Sequence, residues 1–173
     1  MIKGQDILVL LKLSNEPGEW TVRALGEALG LDPASVHRAL GRLEDARLID
    51  AAHRRVNRSN VHEFLLHGLK YAFPPQQGGM SRGVLAAWAA PPLNELLAGV
   101  DEPPPVWPHP TGGSRGVALQ PLHENAPTVA RNDRQIAEQL ALLDAIRLGD
   151  GRVRSLAAAE LGKRLGGPAS GSV

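Results

Sequence analysis

The sequence predicts a mainly α-helical protein with one small β-hairpin. Aromatic residues make up only 3% of the 173 residues, whereas apolar residues make up 43%, so the core is built mainly from Leu, Ala and Val. Strands favour aromatic and β-branched side chains, and this composition therefore favours helices. Eleven of the 14 prolines lie between Pro74 and Pro127, which leaves the long helices to the two outer parts of the chain.

Two helices are predicted before residue 30. The apolar run at residues 7–13 forms the first helix, and a polar segment around Pro17 ends it. Thr21 is a suitable N-cap for a second helix over residues 22–29. Gly30 ends this helix, because glycine adopts the left-handed conformation at a helix C-terminus without a steric cost.

A third helix, a hairpin and a fourth helix follow. Asp32 and Pro33 open the third helix, since aspartate caps a helix and proline fits its first turn. Residues 48–50 and 54–56 then predict the two strands of the hairpin. The fourth helix covers residues 61–73, and the candidate N-caps are Asn57 and Ser59.

The proline-rich middle, residues 74–131, is predicted to be partly extended, with neither a long helix nor a central strand. Residues 106–107 and 117–119 suggest a second hairpin around the Thr-Gly-Gly segment. The tetrapeptide Ser-Arg-Gly-Val occurs twice, at residues 81–84 and 114–117. A repeat of only four residues is better explained by chance or by shared turn chemistry than by duplication of a structural unit.

The C-terminal part, residues 132–165, contains no proline and predicts a helical hairpin. Asn132 or Asp133 caps its first helix, and residues 149–151 turn the chain into the second. Residues 166–173 are rich in Gly and Ser and predict a disordered tail.

The order of elements over residues 1–73 is that of a winged helix-turn-helix DNA-binding domain. Residues 31–49, LDPASVHRALGRLEDARLI, resemble the recognition helix and wing entry of MarR-like bacterial regulators, and the resemblance covers about residues 4–60. Two positions depart from that pattern. His37 stands where Ser or Thr is usual, and Arg47 replaces a glycine, so the third helix ends either in a left-handed arginine or by a different turn. The hairpin is also shorter than a typical MarR wing.

Charge placement supports nucleic-acid binding, although the formal net charge is only +1. Residues 37–58 contain six arginines against three acidic residues, with His37 and His53 in addition. The candidate major-groove residues are Ala34, Ser35, His37, Arg38 and Arg42, and the candidate phosphate-contacting residues are Arg54, Arg55, Arg58 and Ser59. Arg38 is the best candidate for a bidentate contact to guanine. The alternative is that these arginines form a solvated surface with helical ion-pair partners.

These features suggest a sequence-specific transcriptional regulator, acting as a repressor or autoregulator on double-stranded DNA. A homodimer is expected, because one small module reads only a few base pairs. The fourth helix and the C-terminal hairpin would supply its interface, unless they pack on their own winged helix.

An alternative function is a protein-binding antitoxin that sequesters a neighbouring-gene toxin through the middle and C-terminal segments. Segments such as residues 81–84 and 106–108 resemble winged-helix proteins encoded beside nucleotidyltransferase toxins of the AbiEii type, and that resemblance implies an antitoxin role. A third hypothesis, an effector-sensing repressor, has no supporting set of residues.

Other classes of function are not expected. Cysteine is absent, which excludes disulfides and thiolate catalysis and fits a cytoplasmic location. The longest apolar run near the start is far shorter than a membrane span. No catalytic or phosphate-binding motif occurs, and His62 and His67 are about 140° apart on a helix, so neither enzyme activity nor a metal or cofactor is expected.

Overall fold

The computed structural model describes residues 1–16, 18–52 and 54–165. Pro17, His53 and the predicted tail at residues 166–173 lie outside the described residues. The helices are α1 (Gly4–Asn15), α2 (Val22–Leu29), α3 (Pro33–Asp45), α4 (Arg58–Glu63), α5 (Leu69–Ala72), α6 (Leu93–Leu96), α7 (Ala126–Asn132), α8 (Arg134–Leu148) and α9 (Gly151–Arg164). The strands are β1 (Ile49–Asp50), β2 (Arg55–Val56), β3 (Gln77–Leu85), β4 (Pro105–Pro108) and β5 (Ser114–Leu119). A mainly helical fold with a small wing is therefore confirmed, and none of the helices in the described part has the length and apolarity to cross a membrane.

Local capping sets the boundaries of α2 and α3 as the sequence predicts. Thr21 Oγ1 accepts a hydrogen bond from the Ala24 N–H at 3.0 Å, and Gly30 ends α2 with a φ of 69°. The Asp32 carboxylate accepts from the Ser35 N–H at 2.8 Å at the start of α3.

The hairpin is present, with strands of two residues each. Ile49 pairs with Val56 and Asp50 pairs with Arg55. The fourth helix begins at Arg58 with Asn57 as its cap, and a π-helical segment over Phe64–Gly68 joins α4 to α5. The wing is short, as the sequence predicts, and each strand has two residues where three were expected.

The proline-rich middle contains a second sheet, and the prediction that it lacks a central strand was wrong. β3 fills the proline-free interval between Pro75 and Pro91 and pairs antiparallel with both β4 and β5. The predicted second hairpin was also wrong, because β4 and β5 run parallel where they pair. The prediction used the overall frequency of proline and overlooked residues 76–90, which contain no proline and are long enough for a strand.

The two Ser-Arg-Gly-Val segments pair with each other across β3 and β5. Arg82 lies opposite Arg115, and each motif glycine lies opposite the serine of the other copy. Gly83 and Gly116 also allow β4 to approach, since a Cβ at either position would collide with the carbonyl oxygen of Trp107 or Pro104. Strand packing, rather than chance or turn chemistry, accounts for the two glycines.

Helix α8 lies at the centre of the molecule. Its residue Ile136 and every residue from Gln139 to Arg147 are buried, and α1, α5, α7, α9 and the Ala87–Ala89 turn contact it. Asp133 caps it by accepting from the Ile136 N–H at 3.1 Å. The predicted helical hairpin is present, but the apolar side chains of α8 are covered within one chain and are not available for a dimer.

A buried polar network joins α8 to the second sheet and to the end of α5. Asp144 accepts hydrogen bonds from Trp107 Nε1 at 2.9 Å and from Arg147 Nη1 at 2.7 Å. Arg147 Nε also donates to the Phe73 carbonyl oxygen at 2.8 Å. Burial raises the pKa of Asp144 to about 6, although Arg147 and Trp107 both favour the ionised form.

A second buried carboxylate joins α1 to α3 and corrects the expectation for Arg42. Asp6 is fully buried and accepts from the Lys3 N–H and from Arg42 Nε and Nη2, each at 2.8 Å. This bidentate ion pair holds the Arg42 guanidinium against α1 and raises its pKa. Arg42 is therefore a structural residue and does not lie on the exposed face of α3.

The end of α3 resolves the question that Arg47 raised. Arg47 adopts a φ of 60°, its N–H bonds the Glu44 carbonyl at 2.9 Å, and the Leu48 N–H bonds the Leu43 carbonyl at 3.0 Å. These two bonds form a Schellman motif, in which arginine occupies the position that glycine usually takes. Of the two alternatives, the left-handed arginine is the one present.

Substitution of Arg42 tests the ion pair with Asp6. Because Arg42→Ala leaves a buried carboxylate without its cation, we expect the free energy of unfolding to fall by about 3 to 5 kcal/mol. Urea denaturation measures this loss. Arg38→Ala, at an exposed position of the same helix, is the control and should change stability by less than about 0.5 kcal/mol. Equal effects of the two substitutions would contradict this role of Arg42.

Substitution of Arg47 tests the strained helix end. We expect Arg47→Gly to increase the free energy of unfolding by about 0.5 to 1 kcal/mol, because glycine removes a left-handed penalty of about 1 to 2 kcal/mol but gains entropy in the unfolded state. Thermal unfolding measures the gain. Arg47→Ala keeps the Cβ and should show no gain, so stabilisation by both variants would indicate another cause.

The pH dependence of stability tests Asp144. Its pKa is about 6 in the folded state against an ordinary 3.8, so its stabilising contribution is complete below about pH 4 and is lost as the pH rises to about 6. We expect the free energy of unfolding of the wild type, relative to Asp144→Asn, to fall over this interval and to stay constant above it. Urea titrations across the interval measure the difference, with exposed Asp101→Asn as the control. If the difference in the free energy of unfolding between the wild type and Asp144→Asn did not change with pH, this would contradict the raised pKa of Asp144.

Candidate nucleic-acid interface

Helix α3 presents a polar face to solvent. Val36, Ala39, Leu40 and Leu43 are buried against α1 and α2. Ala34, His37 and Arg38 are exposed on the opposite side, and Ser35 is half-buried. Four of the five predicted major-groove residues therefore share the accessible part of this helix, and Arg42 does not.

A chain of hydrogen bonds positions Arg38. Ser35 Oγ donates to Asp32 Oδ2 at 2.8 Å and accepts from Arg38 Nη2 at 3.1 Å. Hydrogen bonds from the Ser35 hydroxyl and N–H lower the pKa of Asp32, so its carboxylate remains ionised at neutral pH. The guanidinium is thus oriented on the helix surface, where bidentate contact with a base edge is possible.

The wing arginines lie near Trp20. Arg54 Nη1 donates to the Trp20 carbonyl oxygen at 3.1 Å, and its guanidinium carbon lies 5.5 Å from the indole centroid. Trp20 therefore supports the wing. Arg55, on β2, is exposed.

Arg58 has a structural partner at the base of the wing. It is half-buried, and its Nη1 donates to the Leu165 carbonyl oxygen at 2.9 Å, just beyond the end of α9. A cation at this position complements the partial negative charge of a helix C-terminus. Ser59 is exposed in the first turn of α4. Together with Arg54 and Arg55, Arg58 lines a cleft of about 510 Å³ beside Trp20.

Asn125 is a positioning residue that sequence reasoning missed. Its Nδ2 donates to the carbonyl oxygens of Leu29 at 3.1 Å and Gly30 at 3.0 Å, in the turn between α2 and α3. The Asn125 N–H donates to His123 Nδ1 at 3.0 Å, and burial lowers the pKa of His123, which keeps its ring neutral as an acceptor. No local signal could reveal this contact, because Asn125 lies 96 residues from Leu29 and 95 residues from Gly30 in the chain.

Comparison with known proteins agrees with this geometry. Residues 2–58 match the model of the MarR family. Comparison with curated proteins found no significant match, and comparison with solved structures found none. The family match covers α1, α2, α3 and the wing, about a third of the chain, and does not extend to the second sheet or to α7, α8 and α9. Residues 2–58 thus form a winged helix-turn-helix domain that matches the MarR family of DNA-binding transcriptional regulators.

Proposed function

We propose that the protein is a sequence-specific repressor that binds operator DNA as a homodimer, with α3 in the major groove. The observation that carries this proposal is the exposed face of α3, on which the Asp32–Ser35 hydrogen bonds orient Arg38. In this arrangement Ala34, Ser35, His37 and Arg38 face base edges, and Arg54 and Arg55 contact phosphates. The protein bound to its operator would exclude the transcription machinery from the promoter.

The homodimer follows from the limited reach of one recognition helix. Two α3 helices separated by about 34 Å would read the two half-sites of a palindrome, which lie one helical turn of DNA apart. Because α8 is buried within one chain, the dimer needs a surface other than the α8 core. Light scattering of the full chain, free and with a duplex of its own promoter, tests the stoichiometry. One chain per palindromic duplex at saturation would overturn the homodimer.

A partner-binding role is the second candidate. Four large apolar side chains are exposed between residues 80 and 100, namely Met80, Leu85, Leu96 and Val100. A contiguous apolar patch marks a protein interaction site, and these side chains are the candidates for such a patch. Co-expression with the neighbouring gene product and co-purification tests this role, and the absence of a complex would exclude that partner.

Two arginine substitutions distinguish base contacts from phosphate contacts. We expect Arg38→Ala to weaken binding to promoter DNA by about 1 to 3 kcal/mol and to relax specificity at one base pair. Arg55→Ala should weaken promoter and random duplexes by the same factor and lower the salt slope by about 1 per bound subunit. Fluorescence anisotropy at several salt concentrations measures both effects.

The matched control is Arg134→Ala on α8, whose side chain is 90% exposed and pairs with Glu138. It should leave both affinities unchanged. Equal affinity of the wild type for promoter and random DNA would overturn the proposed sequence specificity.

A further inference from the structure

Two arginines of the second sheet form a pair of like charges. Arg82 on β3 lies directly opposite Arg115 on β5, and both are exposed. Opposite residues of an antiparallel pair share one face, with Cα atoms about 4.5 to 5.5 Å apart, and like charges there destabilise the sheet. Within residues 1–16, 18–52 and 54–165, neither guanidinium has an ion-pair or hydrogen-bond partner.

The two glycines and Ser81 of the repeated tetrapeptide have a structural reason, and the arginines do not. Gly83 and Gly116 admit the β4 backbone, and Ser81 Oγ donates to the Arg82 carbonyl oxygen at 3.0 Å. The sheet therefore requires the motif glycines but gains nothing from two adjacent cations. An anion outside the chain is the partner that this face fits, because guanidinium groups bind phosphate with paired hydrogen bonds.

We propose that Arg82 and Arg115 bind the phosphate backbone of double-stranded DNA and extend the DNA contact beyond the winged helix. This inference rests on the proposed DNA-binding function. The contact is independent of sequence, since phosphates carry no base information. Two guanidinium groups on facing residues, with Cα atoms about 5 Å apart, can contact two neighbouring phosphates of one strand.

The second sheet is fixed close to the helix-turn-helix. The chain leaves β5 at Leu119, Leu122 lies against Gly4 at the start of α1, and Asn125 bonds the turn at Gly30. Even a fully extended chain from Arg115 to Asn125 spans at most about 35 Å. The arginine pair therefore lies about 34 Å or less from the loop between α2 and α3, which is the length of about one helical repeat of B-DNA.

An acidic protein surface is the competing occupant. Met80 is 51% exposed two residues before Arg82 on β3, and protein interfaces are enriched in both Met and Arg. DNA is favoured because the two unpartnered arginines belong to a chain whose winged helix-turn-helix is proposed to bind DNA. Met80→Ala separates the two occupants, since loss of an apolar side chain should not weaken a phosphate contact.

The test compares full-length Arg82→Ala, Arg115→Ala and the double variant on promoter and random duplexes. Each single substitution should lower the salt slope by about 1 per bound subunit, and the double by about 2 per bound subunit, with equal loss on both duplexes. The thermal unfolding midpoint should stay constant or rise, because a like-charge pair is removed. Weaker DNA binding with unchanged or higher stability is a combination that a merely structural role would not produce.

Controls and outcomes separate this inference from the proposed function. Met80→Ala and Arg134→Ala should bind as the wild type does, and Arg82→Lys with Arg115→Lys should retain the slope. A wild-type slope in the double-alanine variant, while Arg55→Ala lowers it, overturns the inference, leaves the proposed function intact and points to an acidic protein. Failure of the wild type to bind any duplex overturns the proposed function itself.

Discussion

The burial of α8 is the constraint on which the rest of the structure depends. Leu140, Leu143 and Ile146 are at most 1% exposed, and the helix is covered from several directions by α1, α7, α9 and the second sheet region. A helix that is apolar around its circumference has to lie inside a protein. The winged helix, the sheet and the C-terminal hairpin therefore share one hydrophobic core, and the DNA-binding domain is attached firmly to the remainder of the chain.

Electrostatics divides the arginines into structural and accessible groups. Arg42 and Arg147 are held by the buried carboxylates of Asp6 and Asp144, where loss of either partner would leave an uncompensated charge. Arg58 is bound to a main-chain carbonyl oxygen beside the end of α9. Arg38 and Arg55 remain exposed, so the local excess of positive charge in the sequence overestimates the positive charge that the surface presents.

Much of the fold and part of the site could be predicted because their causes are local. Thr21, Gly30 and Asp32 set helix boundaries through hydrogen bonds that span three or four residues, and periodicity alone identifies the exposed face around Arg38. The second sheet could not be predicted in the same way. Its pairing joins residues up to 42 positions apart, such as Gln77 with Leu119, and proline content suggested that this segment lacked a central strand.

The sequence by itself determined the helix-turn-helix and the residues on the exposed face of α3. It also limited the end of α3 to two alternatives, one of which was a left-handed Arg47. These depend on caps, periodicity and backbone conformations that neighbouring residues control. Only the tertiary structure decided that Arg42 belongs to Asp6, that Asn125 fixes the turn before α3, and that Arg82 meets Arg115. Each of these contacts joins residues more than 30 positions apart, and packing of the whole chain, rather than local preference, brings such residues together.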